Sequence, residues 1–335
     1  MKRGPTIDDV AKEAGVSRQT VSRAINNMTG ISATTRERIM TIVDELGYRP
    51  NRLAQGMASK RSLTIGLIIT DVTNPAHANV SRGIQDCAQS NNYNVFIRNT
   101  DSNKQNELEA LNSFVSEGVD GIVLVGPRHT IDEIMNFADR TLPIVVVHRY
   151  IKAPYVASIL ADVVGATKKA LEYLFGAGHR SIGLITRLGN LDNSNHLQGY
   201  KQAYQSRELT YSPDWVIQAE RTLAGGYKGT QRLLSLNPEM TAIITYNDLM
   251  AIGAMKACSD MGRCVPDSVA IMGFDDIALS SYVTPSLSTI RFNGYEVGRV
   301  AMERLLDMVA RPDVIFSPTL LDIELVIRDS TNAIK

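Results

Sequence analysis

The sequence predicts a small all-α N-terminal domain followed by an α/β core of two doubly wound parallel-sheet lobes. Three observations support this prediction. With 335 residues, the chain is longer than one hydrophobic core usually spans, so several compact units are expected. Only short amphipathic helical patterns occur in the first 46 residues. Beyond residue 62, apolar strand-like runs alternate with helical segments in two successive series, which is typical of α/β lobes.

Composition narrows the class of protein. Hydrophobic residues make up 44% and charged residues 21% of the chain, as in ordinary globular proteins. No apolar run reaches the ~18 residues of a membrane-spanning helix, and the N-terminus leads into polar sequence. We therefore expect a cytoplasmic protein with no membrane partner. Cys87, Cys258 and Cys264 form neither a disulfide framework nor a C-x-x-C pair, and we expect no metal and no cofactor.

Charge is distributed unevenly along the chain. The formal net charge is zero, yet the first 60 residues hold ten Lys or Arg against six Asp or Glu. The remaining residues carry the matching acidic excess. A basic N-terminal domain attached to an acidic body indicates phosphate binding that is confined to the N-terminal domain.

The first amphipathic pattern predicts a short helix that is capped by Thr6 and ended by Gly15. Acidic residues occupy its first turn, where they favour the positive end of the helix dipole. Its apolar residues recur at i, i+3, i+4 and i+7 and would face inward. They are Ile7, Val10, Ala11 and Ala14, with Val16 filling the turn that follows.

Two further helices complete this domain. A helix capped by Ser17 would bury Val21, Ala24 and Ile25, and it leaves a polar face outside, made of Arg18, Gln19, Ser22, Arg23 and Asn26. Arg pairs with guanine, and Gln and Asn pair with adenine, so this face is of the kind that reads base edges. A segment capped by Ser32 would bury Ile39, Ile42, Val43 and Leu46. Such a unit is of helix-turn-helix type, although a capped helix pair with a glycine turn also suits an ordinary bundle fragment.

The next segment, residues 51–60, has ten residues and is too short to be stable alone as a helix in water. Something else must order it. We therefore divide the chain into a helix-turn-helix domain at 1–50, a hinge helix and linker at 51–61, and a core at 62–335.

Several motifs from both ends of the chain point to one family. They are Ile7-Asp8-Asp9-Val10-Ala11, Gly15-Val16-Ser17, Thr20-Val21-Ser22-Arg23, Tyr48-Arg49-Pro50-Asn51, Asp120-Gly121-Ile122, Gly178-His179-Arg180, Asn247-Asp248 and Gly273-Phe274-Asp275-Asp276. Together they resemble the lactose/galactose repressor family over essentially the whole chain. The resemblance implies a core similar to periplasmic sugar-binding proteins.

The resemblance also implies how DNA is bound. Arg18, Gln19 and Arg23 match base- and backbone-contacting positions of the recognition helix, and residues 51–59 match a hinge helix that folds on the operator and enters the minor groove. Met57 stands where the family usually has a Leu wedge, and Gly56 should loosen the hinge. The predicted DNA-binding residues are Thr6, Ser17, Arg18, Gln19, Thr20, Ser22, Arg23, Asn26, Ser32, Thr35, Tyr48, Asn51, Arg52, Ala54, Gln55, Met57 and Lys60.

The core is predicted from its apolar runs. These are residues 64–69, 94–97, 121–125 and 144–147, then 181–185, 242–245 and 269–272, with further strands near 288–292 and 320–327. Continuous apolar strands separated by helices indicate parallel sheets that are covered on both faces. By the resemblance, the N-lobe would be about 62–161 plus 293–322, and the C-lobe about 162–292 plus 323–335. No heptad pattern follows residue 330, so we expect a homodimer rather than a tetramer.

Ligands of open parallel sheets bind beyond the carboxyl ends of the strands, so polar residues at those ends are the candidates. The predicted effector-binding residues are Asp71, Asn74, Arg128, His148, Arg149, His196, Tyr227, Asn247, Asp275 and Phe292. The second lobe also offers Arg187, Asn190, Asp248 and Asp276 at strand ends. Asn247 and Asp275 match effector-contacting positions of the family. Asp248 and Asp276 also suit helix or turn caps, His179 a turn, and Trp215 packing.

Two of these residues depart from the family pattern. His196 stands where an effector-binding Arg is usual, and His148 stands where an Asp is common. The ligand is therefore expected to differ from the common sugars and sugar phosphates. A neutral histidine could donate a hydrogen bond to a ligand hydroxyl, whereas one with a pKa near ~6.5 would make effector binding depend on pH.

The sequence thus predicts a repressor of a carbohydrate-utilisation operon that binds a pseudo-palindromic double-stranded operator and sits on the bacterial nucleoid when bound. A sugar or sugar derivative between the lobes would control its affinity. The alternatives are a corepressor-dependent regulator with a ligand such as a nucleobase, and a sugar-binding protein that does not contact DNA. We expect no enzyme, because the sequence lacks a G-x-S-x-G elbow, a Walker loop and clustered metal ligands.

Overall fold

The computed structural model describes residues 5–25, 27–49, 61–189 and 194–331. The chain divides into two units, Met1–Leu63 and Thr64–Lys335, and each is described by itself. The first unit contains the helices α1 (Ile7–Glu13), α2 (Arg18–Ile25) and α3 (Ala33–Leu46).

The helices of the first unit begin at the predicted caps. The Thr6 hydroxyl accepts a hydrogen bond from the Asp9 amide at 3.3 Å, and the Asp9 carboxylate accepts one from the Thr6 amide at 2.8 Å. Ser17 and Ser32 accept hydrogen bonds from the amides three residues later, at 3.1 and 3.2 Å. Gly15 has a φ of 61°, a left-handed conformation that ends α1 and turns the chain into α2.

The core of the first unit is largely as predicted. Buried Val10, Ala11, Ala14, Val21, Ala24, Ile39 and Val43 form it, and Ile7, Val16, Ile25, Ile31, Ile42 and Tyr48 pack against it. The prediction for Leu46 is wrong, because its side chain is exposed. Gly47 ends α3 with a φ of 63°, and the Tyr48 amide donates back to the Val43 carbonyl, so Tyr48 rather than Leu46 packs on the core.

The first sheet of the core is entirely parallel. Its strands, in spatial order, are β11 (Thr319–Leu321), β5 (Val156–Ala161), β4 (Ile144–Val147), β3 (Ile122–Val125), β1 (Thr64–Ile69) and β2 (Asn94–Asn99). Neighbours pair in register, as Leu67 does with Val123. Its helices are α4 (Pro75–Ser90), α5 (Lys104–Glu117), α6 (Ile131–Met135) and α11 (Gly294–Ala310).

The second sheet repeats this pattern with one reversed edge strand. Its order is β12 (Glu324–Val326), β10 (Ser288–Arg291), β9 (Ala270–Asp275), β8 (Ala242–Thr245), β6 (Ile182–Arg187) and β7 (Val216–Ala219), and β12 alone pairs antiparallel. Its helices are α7 (Val163–Gly176), α8 (Asn195–Ser206), α9 (Leu223–Leu236) and α10 (Asp248–Asp260). Short 3₁₀ turns lie at Pro213–Trp215, Ala278–Ser281 and Asp329–Thr331.

The two sheets define two lobes, and the chain passes between them after β5, after β10 and after β11. Helix α11 returns to the first lobe, where it packs closely on α4. A Cβ atom on Gly298 would lie 2.0 Å from the Val80 carbonyl oxygen, so the two helix backbones touch at this glycine. The predicted fold class, an all-α N-terminal domain and two doubly wound lobes, is confirmed.

Two predictions about the sheets need correction. Strand β2 is an edge strand whose Phe96 and Ile97 are exposed, so it is not covered on both faces. Strands β5 and β7 were not expected from the apolar runs. Among the described residues, no helix is long and apolar enough to cross a membrane, and no group of three or more His, Cys, Asp or Glu side chains is placed to hold a metal ion.

Candidate functional site

The outward face of α2 carries the predicted base-reading residues. Arg18, Gln19 and Arg23 are exposed, whereas Val21 and Ala24 on the opposite face are buried. Residues at i, i+1, i+4 and i+5 of a helix share one side, so half-buried Ser22 belongs to the same face. The face combines two guanidinium groups with an amide, which can contact phosphates and base edges.

The predicted hydroxyl residues are used within the protein. The hydroxyls of Ser17 and Thr20 hydrogen-bond each other at 2.9 Å, and those of Ser32 and Thr35 do so at 2.8 Å. These pairs, like the Thr6 cap, fix the helix starts and so orient the α2 face. They hold the starts of the helices in position.

Tyr48 lies beside this face. Burial against the helical core raises the pKa of its phenol, and the nearby Arg18 charge opposes that effect. Several other predicted DNA-binding residues, and the predicted hinge helix, lie outside the described residues. These residues are Asn26, Asn51, Arg52, Ala54, Gln55, Met57 and Lys60.

A second polar site lies between the lobes, where the carboxyl ends of both sheets meet. Arg221, which follows β7 in the second lobe, donates a hydrogen bond to the Ser102 hydroxyl, which follows β2 in the first lobe. This contact joins the strand ends across the cleft. Arg128 and Arg149 belong to the first lobe, and the charge of Arg187 in the second lobe lowers the pKa of both.

Aromatic rings line parts of this cleft. The His196 ring lies between Tyr246 and Phe274, with ring centroids 4.7 and 4.9 Å away. In the segment where the chain crosses between lobes, Phe292 packs on His148 at 4.8 Å. Such faces suit the apolar side of a sugar ring or another flat ligand.

The cleft histidine His196 is buried, and burial lowers its pKa to about 3, with the Arg187 charge adding to that effect. The surroundings of His148, the charge of His77 among them, also lower its pKa. The expectation of a histidine that titrates near pH 6.5 is therefore wrong for His196, because the surrounding protein disfavours its charged imidazole.

Asp275 and Asn247 supply the hydrogen-bonding groups of the second lobe. Burial raises the pKa of Asp275 well above its usual range, the nearby Asp248 adds to this, and Arg221 opposes it. Its φ of 114° is rare for a residue with a side chain, and strained backbone of this kind is common at binding sites. The Asn247 side-chain oxygen caps α10 by accepting from the Met250 amide at 3.0 Å.

Several buried polar atoms of the cleft have no partner among the described residues. They are Nε2 of His196, Nδ2 of Asn247 and Nε of Arg128. Leaving such an atom unpaired costs about 1 to 3 kcal/mol, so a ligand that supplies the missing partner is favoured. His196 and Asn247 are themselves almost fully buried.

The predicted effector-binding residues Asp71, Asn74 and Tyr227 have partners within the protein. The Asp71 carboxylate accepts hydrogen bonds from the Thr73 amide and hydroxyl, and Asn74 caps α4. Tyr227 does not reach this cluster: its hydroxyl donates to Asp260 at the far end of α10, about 18 Å along that helix from its start near Asn247. The prediction that Tyr227 belongs to the effector site is therefore wrong.

The strand-end carboxylates of uncertain role are structural. Asp248 is buried and accepts hydrogen bonds from the Ile277 amide and the Ser280 and Thr289 hydroxyls. Asp276 forms ion pairs with Arg291 at 2.7 Å and with Arg328 at 2.6 Å. His179 hydrogen-bonds Thr241, and Trp215 packs on the core of the second lobe.

Sequence reasoning missed Arg221, His77, Tyr246 and Phe274. Arg221 follows β7, a strand that the apolar runs did not reveal, so its position at a strand end was hidden. Recognising Val216–Ala219 as a short edge strand is the signal that finds it.

Comparisons with known proteins agree with this architecture. Residues 6–51 match the family described as bacterial regulatory proteins, lacI family, and residues 171–331 match a periplasmic binding protein-like domain. The ribose operon repressor of Haemophilus influenzae is 34% identical over 333 residues, which cover 98% of this chain and 99% of that protein. The chain belongs to the lacI family of bacterial regulatory proteins.

Solved structures of the family extend over the whole chain. The lac repressor dimer bound to operator and the anti-inducer ONPF is similar with a TM-score of 0.84 and 26% identity, over 98% of this chain and 99% of that one. A complex of the transcriptional regulator CelR with cellobiose has a TM-score of 0.72 and 26% identity, over 97% and 99%. This lacI-family chain is thus a transcription regulator, and the alternative of a sugar-binding protein that does not contact DNA is not supported.

Proposed function

We propose that this lacI-family protein represses a carbohydrate-utilisation operon by binding a pseudo-palindromic operator as a homodimer. The observation that carries the DNA-binding part is the exposed α2 face of Arg18, Gln19 and Arg23 on a capped three-helix unit. The similarity to the lac repressor dimer on its operator supports the same assembly for this chain. Each protomer would place one α2 in the major groove of one half-site.

The effector is proposed to be a sugar or sugar derivative bound in the interlobe cleft. Asp275 would hydrogen-bond a ligand hydroxyl, and Asn247 Nδ2 and His196 Nε2, which have no partner among the described residues, would gain one. The rings of Tyr246, Phe274 and Phe292 would cover the apolar faces of the ligand. The cellobiose complex of a related regulator supports a carbohydrate ligand.

Binding in the cleft would regulate the operator through the relative placement of the lobes. A ligand shifts an equilibrium only as far as its affinities for the two states differ, and a tenfold difference corresponds to about 1.4 kcal/mol. One charge-assisted hydrogen bond that forms in only one lobe arrangement is worth about that much. One such contact in the cleft would therefore change operator affinity about tenfold.

Selection from random duplex DNA tests the proposal. The full chain should enrich a pseudo-palindromic sequence, and fluorescence anisotropy should show tighter binding to it than to scrambled DNA by about a thousandfold or more at physiological salt. Uniform binding to all duplexes, or none, would contradict the function.

A further inference from the structure

We propose that the effector carries an acidic group, a carboxylate or a phosphate, which Arg128, Arg149, Arg187 and Arg221 hold while Asp275 and Asn247 receive its hydroxyl groups. This inference rests on the proposed function and names the chemical class of its ligand. It assigns two halves to the cleft: a cationic half and a hydroxyl-binding half.

The four cleft arginines have no carboxylate partner among the described residues. Seven other arginines of the core do pair with Asp or Glu side chains: Arg82, Arg98, Arg140, Arg291, Arg299, Arg311 and Arg328. Others, such as Arg180 and Arg263, instead donate to two backbone carbonyls each. None of the four cleft arginines has an Asp or Glu oxygen within 4.0 Å among residues 61–189 and 194–331. A half-buried guanidinium group without an anion is an open position for one.

The arginines come together from both lobes. Arg128 and Arg149 follow the adjacent strands β3 and β4, whereas Arg187 ends β6 and Arg221 follows its neighbour β7. Burial lowers the pKa of Arg128, and the charges of Arg187 and Arg221 lower it further. Mutual repulsion of this kind is relieved when an anion binds among the guanidinium groups.

The nearby carboxyl groups do not neutralise this cluster fully. The Glu107 carboxylate is buried and accepts hydrogen bonds from the backbone amides of Arg128 and His129, at 2.9 and 3.1 Å. The pKa of Asp275 is raised by desolvation and by the nearby Asp248 charge, so its charged form is disfavoured. The cleft therefore holds an excess of positive charge that a neutral sugar would leave uncompensated.

The guanidinium groups also have donors to spare. One Nη of Arg149 donates to the His129 carbonyl, and one Nη of Arg221 donates to Ser102. Arg128 Nε is buried without a partner among the described residues. Each guanidinium carries five N–H donors, so planar carboxylate or phosphate oxygens can be bound by two donors at once.

The hydroxyl-binding half argues against a bare inorganic anion. Asn247 Nδ2 and His196 Nε2 are buried and have no partner within the described part of the chain. The His196 ring also contacts Tyr246 and Phe274. A free anion in the arginine half would leave the two nitrogen atoms unsatisfied. A polyhydroxylated frame that bears one acidic group satisfies both halves.

Thermal stability and calorimetry of the full chain test this inference with matched pairs of probes. The pairs are galacturonate with galactose, glucuronate with glucose, glucose 6-phosphate with glucose and ribose 5-phosphate with ribose, with inorganic phosphate alone as a further probe. At constant ionic strength, at least one acidic sugar should bind about tenfold or more tightly than its neutral partner, since a hydrogen bond to a charged group contributes about 1.5 to 3 kcal/mol. The uronate and phosphate arms distinguish the two acidic groups.

Variants of the cleft arginines test whether these residues cause the preference for acidic sugars. Arg187→Gln and Arg128→Gln should each reduce affinity for the acidic sugar about tenfold or more while changing affinity for a neutral sugar less than about twofold. Arg140→Gln is the matched control, because Arg140 is exposed and pairs with Asp313 away from the cleft. It should change neither affinity.

The outcomes separate this inference from the proposed function. If no acidic sugar binds better than its neutral partner, or if phosphate alone accounts for the effect, the inference is overturned. Loss of acidic-sugar binding in Arg140→Gln would also overturn it. Operator binding in the absence of ligand is measured for the same proteins, and its failure would instead overturn the proposed function.

Discussion

The outward face of α2 and the interlobe cleft both present arginines and amides, but in different physical states. On α2, Arg18, Gln19 and Arg23 are exposed to water on a helix whose start is fixed by a cap. In the cleft, His196 and Asn247 are buried with unpaired atoms. The α2 face can attract a polyanion through long-range electrostatic interaction. The cleft can form hydrogen bonds to a ligand with atoms that have no partner among the described residues.

This difference has consequences for energetics. Exposed charged groups have a small desolvation cost when they bind DNA, and they contribute to affinity through the release of counterions. Their contribution to the binding free energy therefore depends strongly on salt concentration. Buried groups already carry a desolvation cost, so a ligand that fits them gains more per contact and is selected more sharply.

Removing the Asp275 side chain should have the largest effect. Asp275→Gly removes the carboxyl group without straining a backbone whose φ is 114°. Affinity for the best-binding acidic sugar should fall about 100-fold, as expected for two lost hydrogen bonds of about 1.5 kcal/mol each. Calorimetry measures it. Glu208→Gly is the matched control, an exposed acidic residue with a φ of 55°. Unchanged affinity in Asp275→Gly would remove Asp275 from the site.

Removing the Gln19 amide should affect the operator instead. Gln19→Ala should lose about 1 to 3 kcal/mol of discrimination at one base pair of each half-site and leave affinity for scrambled DNA nearly unchanged. Gln205→Ala, at an exposed position of α8, is the control. Anisotropy with single-base operator variants measures the preference. An equal loss for every sequence would mean that Gln19 does not read bases.

Acid should destabilise the cleft through His196. In the unfolded chain this histidine takes up a proton near pH 6.5, but in the folded protein its pKa is about 3, so stability falls as the pH drops below about 6.5. Between pH 7.5 and 5.5 the loss should be about 1 kcal/mol for this group. Urea unfolding at both pH values measures it, and His196→Gln should show a smaller loss by that amount. Equal losses in both proteins would contradict the buried neutral state.

The smallest effect concerns salt. Arg18→Gln should reduce the slope of log K for operator binding against log salt concentration by about 1, because one phosphate contact is lost. Arg128→Gln should leave this slope unchanged, since its guanidinium lies in the cleft. A change of slope in Arg128→Gln alone would reverse the assignment of the two regions.

Local patterns in the sequence predicted much of this molecule. Apolar periodicity and cap residues placed α1, α2 and α3, and apolar runs placed most strands of the two lobes. The same signals placed Asn247 and Asp275 at strand ends. These features depend on neighbours within a few residues, which is why one sequence suffices to find them.

The errors came from contacts between distant residues. Leu46 fits the helical period but is displaced by Tyr48, which folds back after Gly47. Tyr227 is held by Asp260, a partner 33 positions later. The neutral state of His196 depends on what surrounds it in the folded cleft. The pairing of Arg221 with Ser102 joins two lobes and has no local signature.

The coupling between the two regions is tested most directly by operator affinity with and without the best-binding acidic sugar, in the natural protein and in Asp275→Gly. At fixed salt, the ligand should change operator affinity of the natural protein about fivefold or more, in the range of typical allosteric coupling. Asp275→Gly should bind the operator equally well without ligand and should not respond to it. An operator affinity that ignores the ligand in the natural protein, or that responds equally in Asp275→Gly, would contradict an effector site in the cleft that controls DNA binding by α2.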